Sequence, residues 1–250
     1  MSYNNIIVKD GEVAEIILNR PKKLNALSIA LKKELIQALN ELNKNEKVKA
    51  IIMSGAGGNF SAGQDINETA SFSGEDAEGW IGEYGKLYDA FRSLEKPLIA
   101  SIEGYAAGAG LQIALLCDMR ICSSTSRLGL PEINIGIPCI TGSQILRMLG
   151  VPVPKIAELI MTGDFISGTE ALQLGIVNHV VSTGHAHAVA TDIARNLVSK
   201  APTAQKVNKR WLRVMTEELL QEALQFAAKA DQDVFASGEP ANAMNSFLKK

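Results

Sequence analysis

A single α/β domain is the fold class this sequence predicts, on three observations. Short β-branched runs alternate with stretches whose apolar residues recur at helical spacing. At 250 residues, 46% hydrophobic, the chain can bury one large core. Two of its apolar strands run directly into turns of small residues, a pattern of strand–turn–helix units rather than of an all-β or all-helical protein.

The elements follow in order. Ile6 to Val8 and Val13 to Leu18 are β-branched runs split by Asp10-Gly11, a hairpin signal. Leu31, Leu35, Leu39 and Leu42 place one apolar stripe on a helix after Asn25, and Val48 to Met53 returns as a strand. Thr69 to Gly79 is polar and rich in glycine and serine, which predicts a mobile loop. Trp80, Tyr84, Leu87 and Phe91 define a second helix, and Pro97 marks the break before strand Leu98 to Ile102. Ser167 and Glu170 form a capping-box pattern, with Gly175 stopping that short helix before strand Ile176 to Val181.

Ala201-Pro202 divides a core, residues 1–200, from a C-terminal helical region, residues 201–250. In that region Trp211, Leu212, Met215, Leu219, Leu220, Leu224 and Phe226 supply more apolar surface than an isolated arm can shield. The region is therefore expected to pack on the body and on neighbouring subunits.

Composition excludes several function classes. A net charge of -2 offers no global positive field for nucleic acid or an anionic membrane. Cys117, Cys122 and Cys139 lack paired metal-ligand spacing and read as reduced, buried thiols. His179, His185 and His187 read as surface histidines, so no metal is expected. The N-terminus has no basic segment leading into a long apolar one, and no later run has the length of a membrane span; a soluble, cytoplasmic protein is expected. Gly55, Gly57 and Gly58 lack the third dinucleotide glycine and the Walker lysine.

The most informative stretch is KPLIASIEGYAAGAGLQIALLCD, Lys96 to Asp118, followed by RLGLPEINIG, Arg127 to Gly136. An apolar strand enters a turn of Ala106, Ala107, Gly108, Ala109 and Gly110, and the turn opens a helix. Backbone N–H groups there are unpaired and uncovered by side chains, so they can hold negative charge developing on an oxygen. Tight helix–strand packing would use the same small residues. The segment VKAIIMSGAGGNFSAGQDINE, Val48 to Glu68, repeats the plan, with Ala62, Gly63 and Gln64 leading to Asp65.

These two segments resemble, in order and spacing, the oxyanion-hole signatures of the enoyl-CoA hydratase/isomerase family, the crotonase superfamily. NRPKKLNALS, Asn19 to Ser28, is similar to its early CoA-binding loop. GLPEINIGIP, Gly129 to Pro138, resembles its second catalytic turn, and TGDFISGTEALQLGIVNHVV, Thr162 to Val181, the segment that closes its core. The resemblance implies a spiral of repeated ββα units with a C-terminal helical oligomerisation region, a homotrimer or dimer of trimers. Its substrate would be an acyl-CoA thioester, with coenzyme A part of the substrate and no separate cofactor. The Thr69–Gly79 loop would then lie where it can cover an acyl chain.

Residue by residue, the resemblance implies that the backbone N–H groups of Gln64 and Ala109 form the oxyanion pair, Ala109 replacing a glycine common in the family. Glu132 matches a catalytic glutamate; in isolation it would read as an exposed turn charge. Gln112 stands where a two-glutamate hydratase carries its first carboxylate, and an amide cannot act as a general base. Lys22, Lys23, Ala62, Asp65, Ile66 and Gly108 make up the expected substrate-binding set. Within it Asp65 is read as a brace of its turn, and the two lysines read nearly as well as solvated charges. Asp118 reads as structural and Cys139 as packing. Because one carboxylate suffices to move a double bond, isomerisation of an enoyl-CoA is placed slightly ahead of hydration. A non-catalytic acyl-CoA-binding protein, and decarboxylation or ring chemistry on a thioester, stand as alternatives.

Overall fold

The computed structural model describes residues 3–248. The ends of the two expected regions, residues 1–2 and 249–250, lie outside them.

The Asp10-Gly11 turn joins β1 (Ile6–Lys9) to β2 (Val13–Leu18) as an antiparallel pair. After α1 (Ile29–Lys44), strands β3 (Ala50–Gly55), β4 (Leu98–Ile102), β6 (Met119–Ser123) and β9 (His179–Val181) add in parallel, giving a six-stranded sheet in the order β1-β2-β3-β4-β6-β9. All five residues of β4 are buried, as expected of a parallel strand covered on both faces. One face carries the main core. The other is covered by α8 (Ala186–Val198), where Ala186, Ala190 and Ala194, one turn apart, let the helix lie close on Ala50, Ile52, Ile99 and Ile121.

A second, smaller sheet contains β5 (Tyr105–Ala107), β7 (Arg127–Gly129) and β8 (Phe165–Ser167). Two isolated parallel bridges, Ser61 with Ala106 and Leu27 with Gln64, carry its line back through the earlier turns. Each winding of the chain therefore places a long strand in the first sheet, a short extended segment in the second, and then a helix. This is the spiral of ββα units. The short strands escape periodicity analysis because three residues carry no alternation to read.

The remaining helices are α2 (Ile66–Thr69), α3 (Ala77–Arg92), α4 (Ala109–Leu115), α5 (Ile140–Met148), α6 (Val153–Thr162), α7 (Gly168–Gln173), α9 (Pro202–Val214), α10 (Glu217–Ala236) and α11 (Glu239–Leu248). The Ser167–Glu170 capping box at α7 forms as expected. Two local expectations need correction. Thr69–Gly79 is not an open loop: Thr69 ends α2, a 3-10 turn spans Gly74–Asp76, and α3 begins at Ala77, with Asp76 accepting hydrogen bonds from the Ser73 backbone and hydroxyl. The last strand is His179–Val181, because Ile176 and Val177 donate their N–H groups to Ala171 O at the end of α7.

α10 packs against α3 and α5, burying Leu220 and Leu224. The opposite outcome holds for Trp211, Leu212, Met215, Leu219 and Phe226, which are exposed on this chain. Among the described residues, no helix is long and apolar enough to cross a membrane, and no group of three His, Cys, Asp or Glu could hold a metal ion.

Candidate active site

The second sheet positions the site. Its neighbouring extended segments end side by side: Ser61–Gln64 beside β5, and β5 beside β7, with Ala107 in register with Gly129. Gly108 N donates to Gly129 O at 2.9 Å, which ties the turn before α4 to the turn that carries Glu132. Residues that are 68 positions apart in the chain, Gln64 and Glu132, are thereby brought to the rim of one cavity of about 330 Å³.

Two backbone amides face this region. Leu27 N donates to Gly63 O and Asp65 N to Leu27 O, at 2.7 and 3.3 Å. In a parallel bridge that pattern directs the intervening N–H, that of Gln64, to the opposite side. Ala109 is the first residue of α4, where an N–H has no acceptor within its own helix. The two turns touch. A Cβ on Gly63 would stand 2.6 Å from Ala107 O and 3.3 Å from Ala109 N, so only glycine allows this approach. Gly108, at φ 51° and ψ -128°, takes a conformation closed to other residues, and a Cβ there would meet the Glu132 carboxylate at 3.4 Å.

Glu132 sits on the 3-10 turn Pro131–Ile135, begun by a proline and closed by Gly136 in the left-handed region. Its main chain is fixed where Ile137 N donates to Glu132 O at 3.1 Å. The residue as a whole is half-buried, while its Oε2 is sealed from solvent and has no hydrogen-bond partner among the described residues. Burial pushes the carboxyl above the usual carboxylate range, and hydrogen bonds from Cys139 and Gln112 only partly offset that. Glu132 thus brings a buried carboxyl to the lining of a largely apolar cavity.

Gln112 is the only polar side chain on α4, a helix buried along its whole length. Its amide orientation follows from its partners. Tyr88 Oη and Thr141 Oγ1, the latter at 3.0 Å, donate to Oε1, so Nε2 faces Glu132 Oε1 and donates to it at 2.8 Å. Burial holds the Tyr88 phenol protonated and able to donate. Gln112 therefore anchors one oxygen of Glu132 and leaves the other open. Nothing in the sequence marked Tyr88, Thr141 or Cys139 as part of this network. Tyr88 was hidden because it lies on the same helix as an apolar stripe, and a stripe does not show where a phenol points.

The expected substrate-binding residues divide. Ala62, Ile66 and Gly108 line the cavity, together with Gln64, Ala109 and Gln112. Asp65 does not. It is 5% exposed, caps α2 through Asn67 N, and pairs with Arg20 at 2.8 Å. Burial alone would raise its pKa, but the hydrogen bonds from Asn67 and Arg20 override that and hold it below the ordinary value. It braces the turn rather than lining the cavity. Lys22 and Lys23 lie exposed on the 3-10 turn Pro21–Lys23, outside the cavity but next to Leu24, which does line it. Asp118 is structural, accepting from Leu98 N at 2.7 Å and from Lys209. Cys117, Cys122 and Cys139 are free and buried.

Two backbone amides without an acceptor in their own segment and a buried carboxylate meet at one cavity on this spiral fold, an arrangement able to hold negative charge on an oxygen and to move a proton. The chain belongs to the enoyl-CoA hydratase/isomerase family, whose model matches residues 9–250. It is 38% identical over 256 residues to a short-chain-enoyl-CoA hydratase of Clostridium acetobutylicum, covering all of this chain and 97% of that one. It is 33% identical to a crotonyl-CoA hydratase of Syntrophomonas wolfei, with the same coverage. Among solved structures it is similar to a methylmalonyl-CoA decarboxylase in complex with 2-nitronate-propionyl-CoA, at TM-score 0.86 and 29% identity over 99% of this chain and 96% of that one. An enoyl-CoA hydratase/isomerase from Mycobacterium paratuberculosis, at TM-score 0.90 and 24% identity over 98% and 100% of the two chains, shares the fold. The protein is an enzyme of this family. The relatives named by reaction in the sequence comparison are hydratases, so the ordering that placed isomerisation first gains no support.

Proposed function

We propose that the protein adds water across the double bond of a 2-enoyl-CoA thioester. The observation that carries this reading is the buried Glu132 carboxyl, held at Oε1 by Gln112, on the same cavity that Gln64 and Ala109 line. With the thioester oxygen held by the Gln64 and Ala109 N–H groups, Glu132 takes a proton from water as the water oxygen bonds to C3. The electron pair of the double bond moves onto the thioester oxygen as an enolate. The enolate then collapses, and C2 takes the proton back from Glu132. One carboxylate thus serves as base and then acid, and water has been added with nothing left over. Each amide contributes about 3 kcal/mol at the enolate stage. The raised pKa makes Glu132 a stronger base once ionised.

Gln112 is a positioning residue in this reading: it holds Oε1 so that Oε2 presents its lone pairs to the cavity. Double-bond migration is the second reading, supported by Glu132 being the one carboxylate on the turn beside the amide pair, since the same carboxyl can carry a proton from C2 to C4. Incubation with matched 2-enoyl and 3-enoyl thioesters, with the products identified, tests the two. Formation of 3-hydroxyacyl-CoA from the 2-enoyl substrate supports hydration; conversion of 3-enoyl to 2-enoyl with no hydroxyacyl product overturns it.

The same reading extends to assembly. Trp211, Leu212, Met215 and Phe226 expose an apolar face that a trimer or dimer of trimers would cover. Light scattering should give a multiple of the 26.8 kDa chain mass, and a concentration-independent monomer would contradict it.

A further inference from the structure

A second buried carboxylate opens on the same cavity. Asp231, in the middle of α10, is 2% exposed, and its Oδ1 is sealed from solvent without a hydrogen-bond partner among the described residues. It lines the cavity with Ala227, Trp80 and Phe247, a surrounding in which a leucine would pack at no desolvation cost. Among the described residues no lysine, arginine or histidine lines the cavity, so none of these offsets the carboxylate. Burial alone pushes its pKa up to about 7, and Glu132 makes no contribution to that shift. One carboxylate thus comes from the turn after β7 and the other from the wall built by the C-terminal helices.

An unpartnered carboxyl facing a ligand cavity costs stability unless the ligand supplies its partner. With no such cation among the described residues, a neutral partner that can both donate and accept fits the carboxyl in either protonation state. A hydroxyl meets that requirement.

Resting on the enoyl-CoA reading above, we propose that Asp231 is a specificity determinant that recognises a hydroxyl carried by the acyl group away from the thioester. The preferred substrate is then a hydroxylated enoyl-CoA rather than a plain alkyl one.

The test uses pairs of 2-enoyl-CoA thioesters of equal chain length, with and without a terminal hydroxyl, over a range of lengths. At the length that reaches Asp231, the hydroxylated member should show a kcat/KM about tenfold or more above its plain partner, mostly through KM. Asp231→Leu should lower that ratio by a similar factor, and Asp231→Asn, which keeps an acceptor, should retain most of it. A ratio near one at every length in the wild type, or a ratio left unchanged in folded Asp231→Leu, would overturn the assignment. Should no thioester be turned over, the hydration reading fails on its own. Calorimetric binding of the corresponding saturated acyl-CoA pairs then decides: the same preference, lost in Asp231→Leu, supports the assignment, and equal affinities refute it.

Discussion

Asp65 stands after the first small-residue turn of the spiral and Glu132 on the turn after β7, and the contrast between them shows how the fold separates a brace from a proposed reactive group. Asp65 is spent on structure. Asn67 and Arg20 occupy its oxygens, and its pKa lies below the usual range despite burial. Glu132 has no charged partner among the described residues: it accepts from the neutral Gln112 amide and Cys139 thiol, and burial raises its pKa. Two carboxylates two windings apart in the spiral thus differ in the number of charge-assisted hydrogen bonds, and that number decides whether the group can move a proton.

The sharpest way to break this comparison is Glu132→Gln. It should cut turnover by about a thousandfold while changing acyl-CoA affinity little, as steady-state kinetics and calorimetric binding would show. Next in size, Ala109→Pro deletes a backbone donor and should lower kcat by about a hundredfold or more in protein shown to be folded by circular dichroism. Gln112→Leu should sharpen the contrast through pH. The Gln112 hydrogen bond lowers the Glu132 pKa, so its loss raises that pKa further, and the acid limb of the kcat/KM profile should shift to higher pH.

Asp65→Asn should give the smallest catalytic effect and act on stability instead, costing about 1–3 kcal/mol at neutral pH in denaturant unfolding. The sign follows from linkage. A depressed folded-state pKa contributes stability above the unfolded value, and that contribution disappears as pH falls through the folded one. The difference between wild type and variant should therefore close under acid conditions. A constant difference across that range would mean that packing, not charge, carries the effect.

Much of this arrangement was legible in the residues. The Asp10-Gly11 hairpin, the leucine stripe of α1 and the Ser167 capping box all act through near neighbours in sequence, and each forms as read. The two small-residue turns were legible because they leave a local signature, while the choice of Gln64 and Ala109 as the proposed amide pair came from the resemblance. What stayed hidden depends on partners far along the chain. Arg20 reaches Asp65 across 45 positions, and Tyr88 and Thr141 converge on Gln112 from two different helices. The role of Asp231 was equally invisible, since a lone aspartate on an amphipathic helix reads as a solvated charge until its burial is known. Thr69–Gly79 misled for a related reason: its serines and acids satisfy a helix start as readily as they populate a loop.

The central claim is that Glu132 transfers a proton between water and C2 of an enoyl thioester. Incubating the wild type with a four-carbon 2-enoyl-CoA in deuterated water tests it directly, with the products read by mass spectrometry and NMR. The account predicts a 3-hydroxyacyl-CoA carrying one deuterium at C2, with its formation lost in Glu132→Gln. Deuterium entering C4 of unhydrated thioester, or hydration that persists in folded Glu132→Gln, would contradict it.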